Sequence, residues 1–382
     1  MLATTRKKVR YLLLIVMLIH AHNSVRRRTK LHRCALLSPS ESPWQRLYYH
    51  GDSSSFLLMT GLSRRAFTLL LNILFTDNNQ QPTVTKMGRP ELLDHIAQLG
   101  LYLFFIGSTM GIKHLCMIFG VTPTRCSAVI NKMLRLVVTK LKHHPLAKVK
   151  FPSEEKMAHF AQLIQEREPA VDDVIGFMDG LALTSECTSD ELEQNAMYNG
   201  YHSDTMVNNV FVYGPDGKVF LCAINFPGSW HDGSITANIL PYIRNNIGNY
   251  KMCVDQGFPR TGDANLILVG PISKKQAKKL APNLRPYFLR ISNIYTSLRQ
   301  ASEWGMRALQ GTFPRCKKRL PGNAWKRKKV IQSIVLIHNL RTELVGLNQI
   351  STVFDPEYER YINLSSYDRI KRFYFQDDDV DN

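Results

Sequence analysis

Apolar runs of membrane-spanning length are missing from the 382 residues: the nine from Tyr11 to Ile19 are the nearest approach, and a bilayer helix needs about 20. Paired cysteines are missing too. The seven (Cys34, Cys116, Cys126, Cys187, Cys222, Cys253, Cys316) are scattered, odd in number and contain no CxxC pair, which excludes a disulfide scaffold and a zinc knuckle and fits a reducing intracellular compartment. Acid is scarce, with 31 Asp and Glu against 49 Lys and Arg, a net charge of +18 and a pI near 9.6. Such a balance suits a polyanion such as nucleic acid or an acidic membrane surface. With 44% hydrophobic residues the chain can nevertheless bury a sizeable core.

The charge is concentrated. Residues 1–50 hold ten Lys or Arg against one Glu, and residues 311–330 hold eight against none, so these two stretches account for 17 of the 18 net charges. The rest is a near-neutral body. Arg6-Lys7-Lys8-Val9-Arg10 followed by Tyr11–Ile19 imitates a secretory signal, but His20-Ala21-His22-Asn23-Ser24 offers no small-x-small cleavage site. The expectation is instead a short helix packed on the body. The acidic end, Asp377 to Asp381, reads as a frayed, solvated tail.

Four segments are expected. Residues 1–56 form a basic N-terminal segment and linker, the latter over 31–56 with Trp44, Tyr48 and Tyr49 as aromatic anchors. Residues 57–150 are helical: one helix follows Ser63 and runs to Phe75, a second linker leads to Pro90, and a buried helix spans Glu91 to about Ile106. Within 112–141, Ile112–Phe119, the turn Gly120-Val121-Thr122 and a helix opened by Pro123 have helix-turn-helix spacing. Thr122 is placed to cap the second helix, and Thr124, Arg125, Ser127, Asn131 and Lys132 are placed to face a DNA groove. An ordinary helical hairpin explains the same pattern equally well. Residues 151–347 are the third segment and 348–382 a C-terminal tail.

In the third segment the signals run strand (Val174–Met178), hairpin (Val207–Tyr213 and Lys218–Asn225 around Gly214-Pro215-Asp216-Gly217), helix (Ser234–Asn245), strand (Lys251–Val254), insertion, helix (Leu298–Gln310). This is the order of an α/β fold with a ribonuclease H-like mixed sheet, in which the first strand lies beside the strand that follows the helix. Asp179 and Asp255 end those two strands, and Glu303 lies on the late helix. Hard oxygen donors of this kind suit Mg²⁺ or Mn²⁺, and two such ions about 4 Å apart support in-line attack on a phosphodiester. Asp232, between hairpin and helix, is either a further metal ligand or the cap of the helix that follows. Glu186, Glu191 and Glu193 read as solvated surface.

Gly176-Phe177-Met178-Asp179-Gly180, Tyr198-Asn199-Gly200-Tyr201-His202, Pro227-Gly228-Ser229-Trp230-His231-Asp232, Asp255-Gln256-Gly257-Phe258-Pro259 and Arg299 with Glu303-Trp304-Gly305 occur in that order. Together they resemble the PIF/Harbinger transposase family and its Harbinger transposase-derived nucleases over roughly residues 60–345. The resemblance implies a DDE nuclease or transposase that uses a divalent metal (Mg²⁺ or Mn²⁺). Asp179, Asp255 and Glu303 would be its catalytic acids, and with Asp232 they would be its metal ligands. It implies DNA as partner, allows a Myb-like DNA-binding partner protein and an oligomer, and fits a nuclear location without a membrane. Two departures stand out: 47 residues separate Asp255 from Glu303, and Gly305 follows Glu303 more closely than in the wider family.

Arg315, Lys317, Lys318, Arg319, Lys326, Arg327, Lys328 and Lys329 follow Glu303 closely, which favours phosphate tracking over a merely solvated face. Lys326–Lys329 or the Arg26–Lys30 cluster would also serve as a nuclear-import signal. Tyr198, Tyr201 and His202 either stack on displaced bases or, as the preferred reading, pack on the sheet edge. His231 orients Asp232 or touches a scissile phosphate, or is equally well a structural histidine. The functional reading is a metal-dependent DNA nuclease or transposase that cleaves phosphodiesters and joins strands; the alternative is a domesticated, inactive DNA- or protein-binding factor.

Overall fold

The structure is a computed structural model and describes residues 11–21, 31–76 and 92–355. The linker to Pro90, the Arg26–Lys30 cluster and the acidic end lie outside the described residues. Helix α1 (Tyr11–Ala21) forms, but Tyr11 to Ile19 are 54–69% exposed, so it does not pack on the body as expected. Among the described residues no single helix is long and apolar enough to cross a membrane.

Three helices of the N-terminal half, α3 to α5, start where a side chain satisfies amides that the first turn leaves open. After α2 (Pro43–His50), Asp52 accepts from Ser54 N and Ser55 N to open α3 (Ser53–Thr60). Ser63 accepts from Ala66 N to open α4 (Arg64–Phe75), as the sequence predicts, and Asp94 caps α5 (His95–Ile106) four residues later than predicted. The expected linker over 31–56 is therefore largely helical. Trp44 is 1% exposed because its indole stacks on Phe119 and meets Phe104 edge-on, and burial of so large a ring outweighs the turn-rich sequence around it.

Helices α6 (Ile112–Phe119) and α7 (Pro123–Leu141) form with the predicted bounds, separated by Gly120 in the left-handed conformation. Thr122 occupies the N-cap position of α7 but makes no side-chain capping bond. Thr124, Arg125 and Lys132 are exposed, while Ser127 and Asn131 are half-buried. The opposite face of α7 (Ile130, Met133, Val137, Leu141) enters the core.

After α8 (Glu154–Arg167) come β1 (Val174–Thr184), α9 (Glu191–Met197), β2 (Tyr198–Asn199), β3 (Asp204–Tyr213), β4 (Val219–Pro227), α10 (Asp232–Ile247), β5 (Lys251–Val254) and β6 (Leu268–Val269). They are followed by α11 (Lys274–Lys278), α12 (Arg285–Thr312), α13 (Ala324–Val345) and α14 (Gln349–Phe354). The sheet order is β4-β3-β1-β5-β6, with β2 on the end of β3 beyond β4. Strands β3 and β4 are antiparallel to their neighbours, and β5 and β6 run parallel with β1. The predicted neighbour relation between the first strand and the strand after the helix is thus present. Strand β6, α11 and the first half of α12 lie between Asp255 and Leu298, where no element was predicted.

Strand alternation, shifted on β1 by an irregularity between Val174 and Gly176, divides the core. On β1, Phe177 joins the cluster that continues into α5, α7, α12 and α13, while Ile175 and Met178 join the opposite one, with Met157 of α8 and Ile235 and Ile243 of α10. Helix α12 lies close on the sheet at Gly305, where a Cβ would come within 2.8 Å of the Tyr213 ring. Beside that contact Ser302 meets Asp179 within β1, and Arg299 links Glu303 to Asp255 just past β5. Within 348–382, α14 is packed, with Phe354 against Phe177 at 5.0 Å.

Candidate active site

Parallel pairing places the two aspartates side by side. Met178 pairs with Val254 in the β1–β5 register, so Asp179 and Asp255 each come one position further along neighbouring strands. Strand β1 does not stop at Met178, as predicted, but continues to Thr184 through pairing with β3, so Asp179 is inside the strand, opposite Phe211. By alternation Asp179 shares the face of Phe177 and meets α12. Its Oδ2 accepts from the buried Ser302 hydroxyl at 3.2 Å and its Oδ1 from Gly180 N at 2.8 Å.

Gly180 faces the other way. A Cβ there would come within 2.3 Å of Asp232 Oδ1, so the bare glycine is what admits Asp232 against the strand next to Asp179. The N-cap position of α10 belongs to His231, and Asp232 is the first helical residue, where a carboxylate is favoured by the helix dipole. Gly180→Ala is expected to push the Asp232 carboxylate aside. Plasmid nicking should fall at least tenfold while the far-UV spectrum and melting temperature stay close to wild type; a variant as active as wild type would remove Asp232 from the site.

Arg299 holds the remaining acids. One turn before Glu303 on α12, its Nη2 donates to Glu303 Oε1 at 2.8 Å, and its Nε lies 3.7 Å from Asp255 Oδ1. The sequence placed Arg299 in a motif without a role and missed Ser302; i, i+3 and i, i+4 spacing along α12 was the available signal.

Burial raises the Asp179 carboxyl to about 6, helped by the Asp255 charge and opposed by the Gly180 amide, Ser302 and Arg299. Burial and the Asp255 charge also raise Asp232, with His231 opposing. Acids crowded in this way repel one another, and a bound cation relieves the repulsion. The donors are all hard oxygens, the type Mg²⁺ and Mn²⁺ take. Among the described residues no three acidic, histidine or cysteine side chains converge closely enough to grip an ion as they stand. Arg299 accounts for part of this by drawing Asp255 and Glu303 to itself.

The basic stretch divides. Lys317, Lys318, Arg319 and Lys328 are exposed, and Lys326 and Lys329 are half-buried. Arg315 lies over the Phe105 ring at 4.3 Å. Arg327 is 2% exposed and donates to Asn225 Oδ1, Gly322 O and Glu193 Oε1, so as placed it is a buried strut and not a surface contact for phosphate. Glu193, expected on solvated surface, is its partner, whereas Glu186 and Glu191 are exposed.

No curated protein and no solved structure matches the chain. Residues 178–339, which contain Asp179, Asp232, Asp255 and Glu303, match the family described as DDE superfamily endonuclease. The match likens residues 178–339 to DDE superfamily endonucleases, which supports nuclease activity in general.

Proposed function

We propose that the chain is a divalent-metal-dependent DNA endonuclease or transposase of the Harbinger type, with a ribonuclease H-like sheet, acting in the nucleus. The observation that carries this reading is the β1–β5 register, which sets Asp179 beside Asp255 under the Arg299–Glu303 pair of α12. A divalent ion bound to Asp179 and Asp255, with Asp232 and Glu303 adjoining, would supply activation of the attacking oxygen and stabilisation of the leaving one. The chain's own groups prepare the site. Ser302 and the Gly180 amide fix the Asp179 carboxylate, and Arg299 carries positive charge beside Asp255 and Glu303. Lys317 and Lys318 are exposed on the stretch that runs beside the end of β1, where they can hold backbone phosphates.

The test is nicking of supercoiled plasmid with Mg²⁺ or Mn²⁺. Wild type should produce nicked circles only with metal, and Asp255→Asn should lower the rate by more than about 100-fold, beyond the usual cost of losing an outer-shell partner. Equal rates for the two proteins would refute catalysis by this site. DNA binding without any metal-dependent product would favour a domesticated binding factor.

A further inference from the structure

The turn between β2 and β3 displays an aromatic side chain that the fold does not use. Tyr201 is 91% exposed, its ring meeting that of His202 edge-on at 4.9 Å. Packing on the sheet edge, the reading the sequence favoured, does not occur. Yet the turn is held firmly in shape. Asn199 Oδ1 accepts from the amides of Tyr201 and His202, at 3.0 and 3.1 Å, and Ser203 closes the turn at φ 52°.

The turn is tied on both sides. Asn199 Nδ2 donates to Gly228 O at 2.7 Å, and Asn208 Nδ2 donates to Trp230 O at 2.6 Å, which fixes the segment leading through His231 to Asp232. On the other side Asp204, the residue after the turn, accepts from Arg319 at 2.9 Å, and Arg319 also holds Ser185 O. Lys317 and Lys318, both exposed, precede Arg319 directly. An exposed ring on a held turn therefore stands beside a basic strip, on a turn also tied to the segment that leads to Asp232.

We propose that Tyr201, with His202, is a stacking platform for an unpaired DNA base about 20 Å along β3 from the Asp179 position, while Lys317 and Lys318 hold the adjoining phosphates. This inference rests on the nuclease reading of the same site. The charge of the strip selects a polyanion, and the exposed ring adds what a paired duplex, whose bases are already stacked, cannot use. Base–aromatic stacking is worth about 1–3 kcal/mol per base, so the preference for unpaired DNA should be about tenfold or more.

The experiment uses the full chain in EDTA with two DNAs of one sequence, a paired duplex and a duplex with a four-nucleotide bubble containing 2-aminopurine. Wild type should bind the bubble about tenfold more tightly and quench the 2-aminopurine emission. Tyr201→Ala should lose both the preference and the quenching, and Tyr201→Phe should keep both. Because Tyr201 lies outside the core, all three proteins should melt alike. The double variant Lys317→Ala/Lys318→Ala should weaken both DNAs equally and reduce the salt slope by about 2. Equal affinity of wild type for the two DNAs, unchanged quenching by Tyr201→Ala, or no DNA binding would each overturn the proposal. Quenching retained in a protein that never nicks DNA would sink the nuclease reading alone and leave the platform standing.

Discussion

Asp179→Asn is expected to abolish metal-dependent nicking and at the same time to make the metal-free protein more stable. The asparagine keeps the shape, accepting from Gly180 N and donating to the Ser302 hydroxyl, and it removes a charge that the site disfavours. Burial pushes the Asp179 carboxyl up to about 6 in the folded protein, against 3.8 for an ordinary aspartate. Between those values the folded chain holds a proton that the unfolded chain has released. Stability is therefore lost as pH rises from about 4 through about 6, and the full cost is present at pH 8. A displacement of this size corresponds to about 1–3 kcal/mol. In EDTA at pH 8 urea unfolding should give Asp179→Asn an advantage of that order, and the advantage should shrink as pH falls towards 4. Added Mn²⁺ should stabilise wild type saturably and the variant little. A variant less stable than wild type at pH 8, by a margin that does not change with pH, would show that the carboxylate is not strained by its surroundings.

The second large effect is on folding. Arg327→Ala is expected to destabilise by about 2–4 kcal/mol, because it empties a buried position and takes the donor away from Asn225 Oδ1 and Gly322 O, while the Glu193 carboxylate, 35% exposed, regains water. Asn225 is part of the same construction: it holds a left-handed backbone at φ 69° and accepts from Arg327 Nε at 2.7 Å. Arg327→Lys should recover only a part, since an ammonium cannot reach Asn225, Gly322 and Glu193 together as the guanidinium fork does. Lys328→Ala, one residue on and exposed, should stay within about 0.5 kcal/mol of wild type. Denaturant midpoints of the three variants decide the matter. A fully stable Arg327→Ala protein with weakened DNA binding would return this arginine to the phosphate-binding set.

The contrast between Arg327 and Lys328 shows where sequence reading stops. Both belong to a run of four cations, and nothing local distinguishes them. Burial of Arg327 depends on Glu193, 134 positions away, and on Asn225. Trp44 is a similar case: serines and prolines around it read as a linker, yet it is buried against Phe104 and Phe119, from helices that only tertiary packing brings near. Strand β6 was missed because it is two residues long and exists through its pairing with β5.

By itself the sequence determined the order of β1, the β3–β4 hairpin, α10, β5 and the late helix that bears Glu303, and with it the neighbouring positions of Asp179 and Asp255. These follow from hydrophobic periodicity, caps and the topology of parallel strands, all of which are local or combinatorial. Tertiary structure alone decided that Arg299 holds Asp255 and Glu303, that Gly180 admits Asp232 and that Arg327 is internal while Tyr201 is exposed. The reason is physical: burial, charge pairing and close approach are properties of pairs of residues distant in the chain, and residue types in order do not specify which pairs meet.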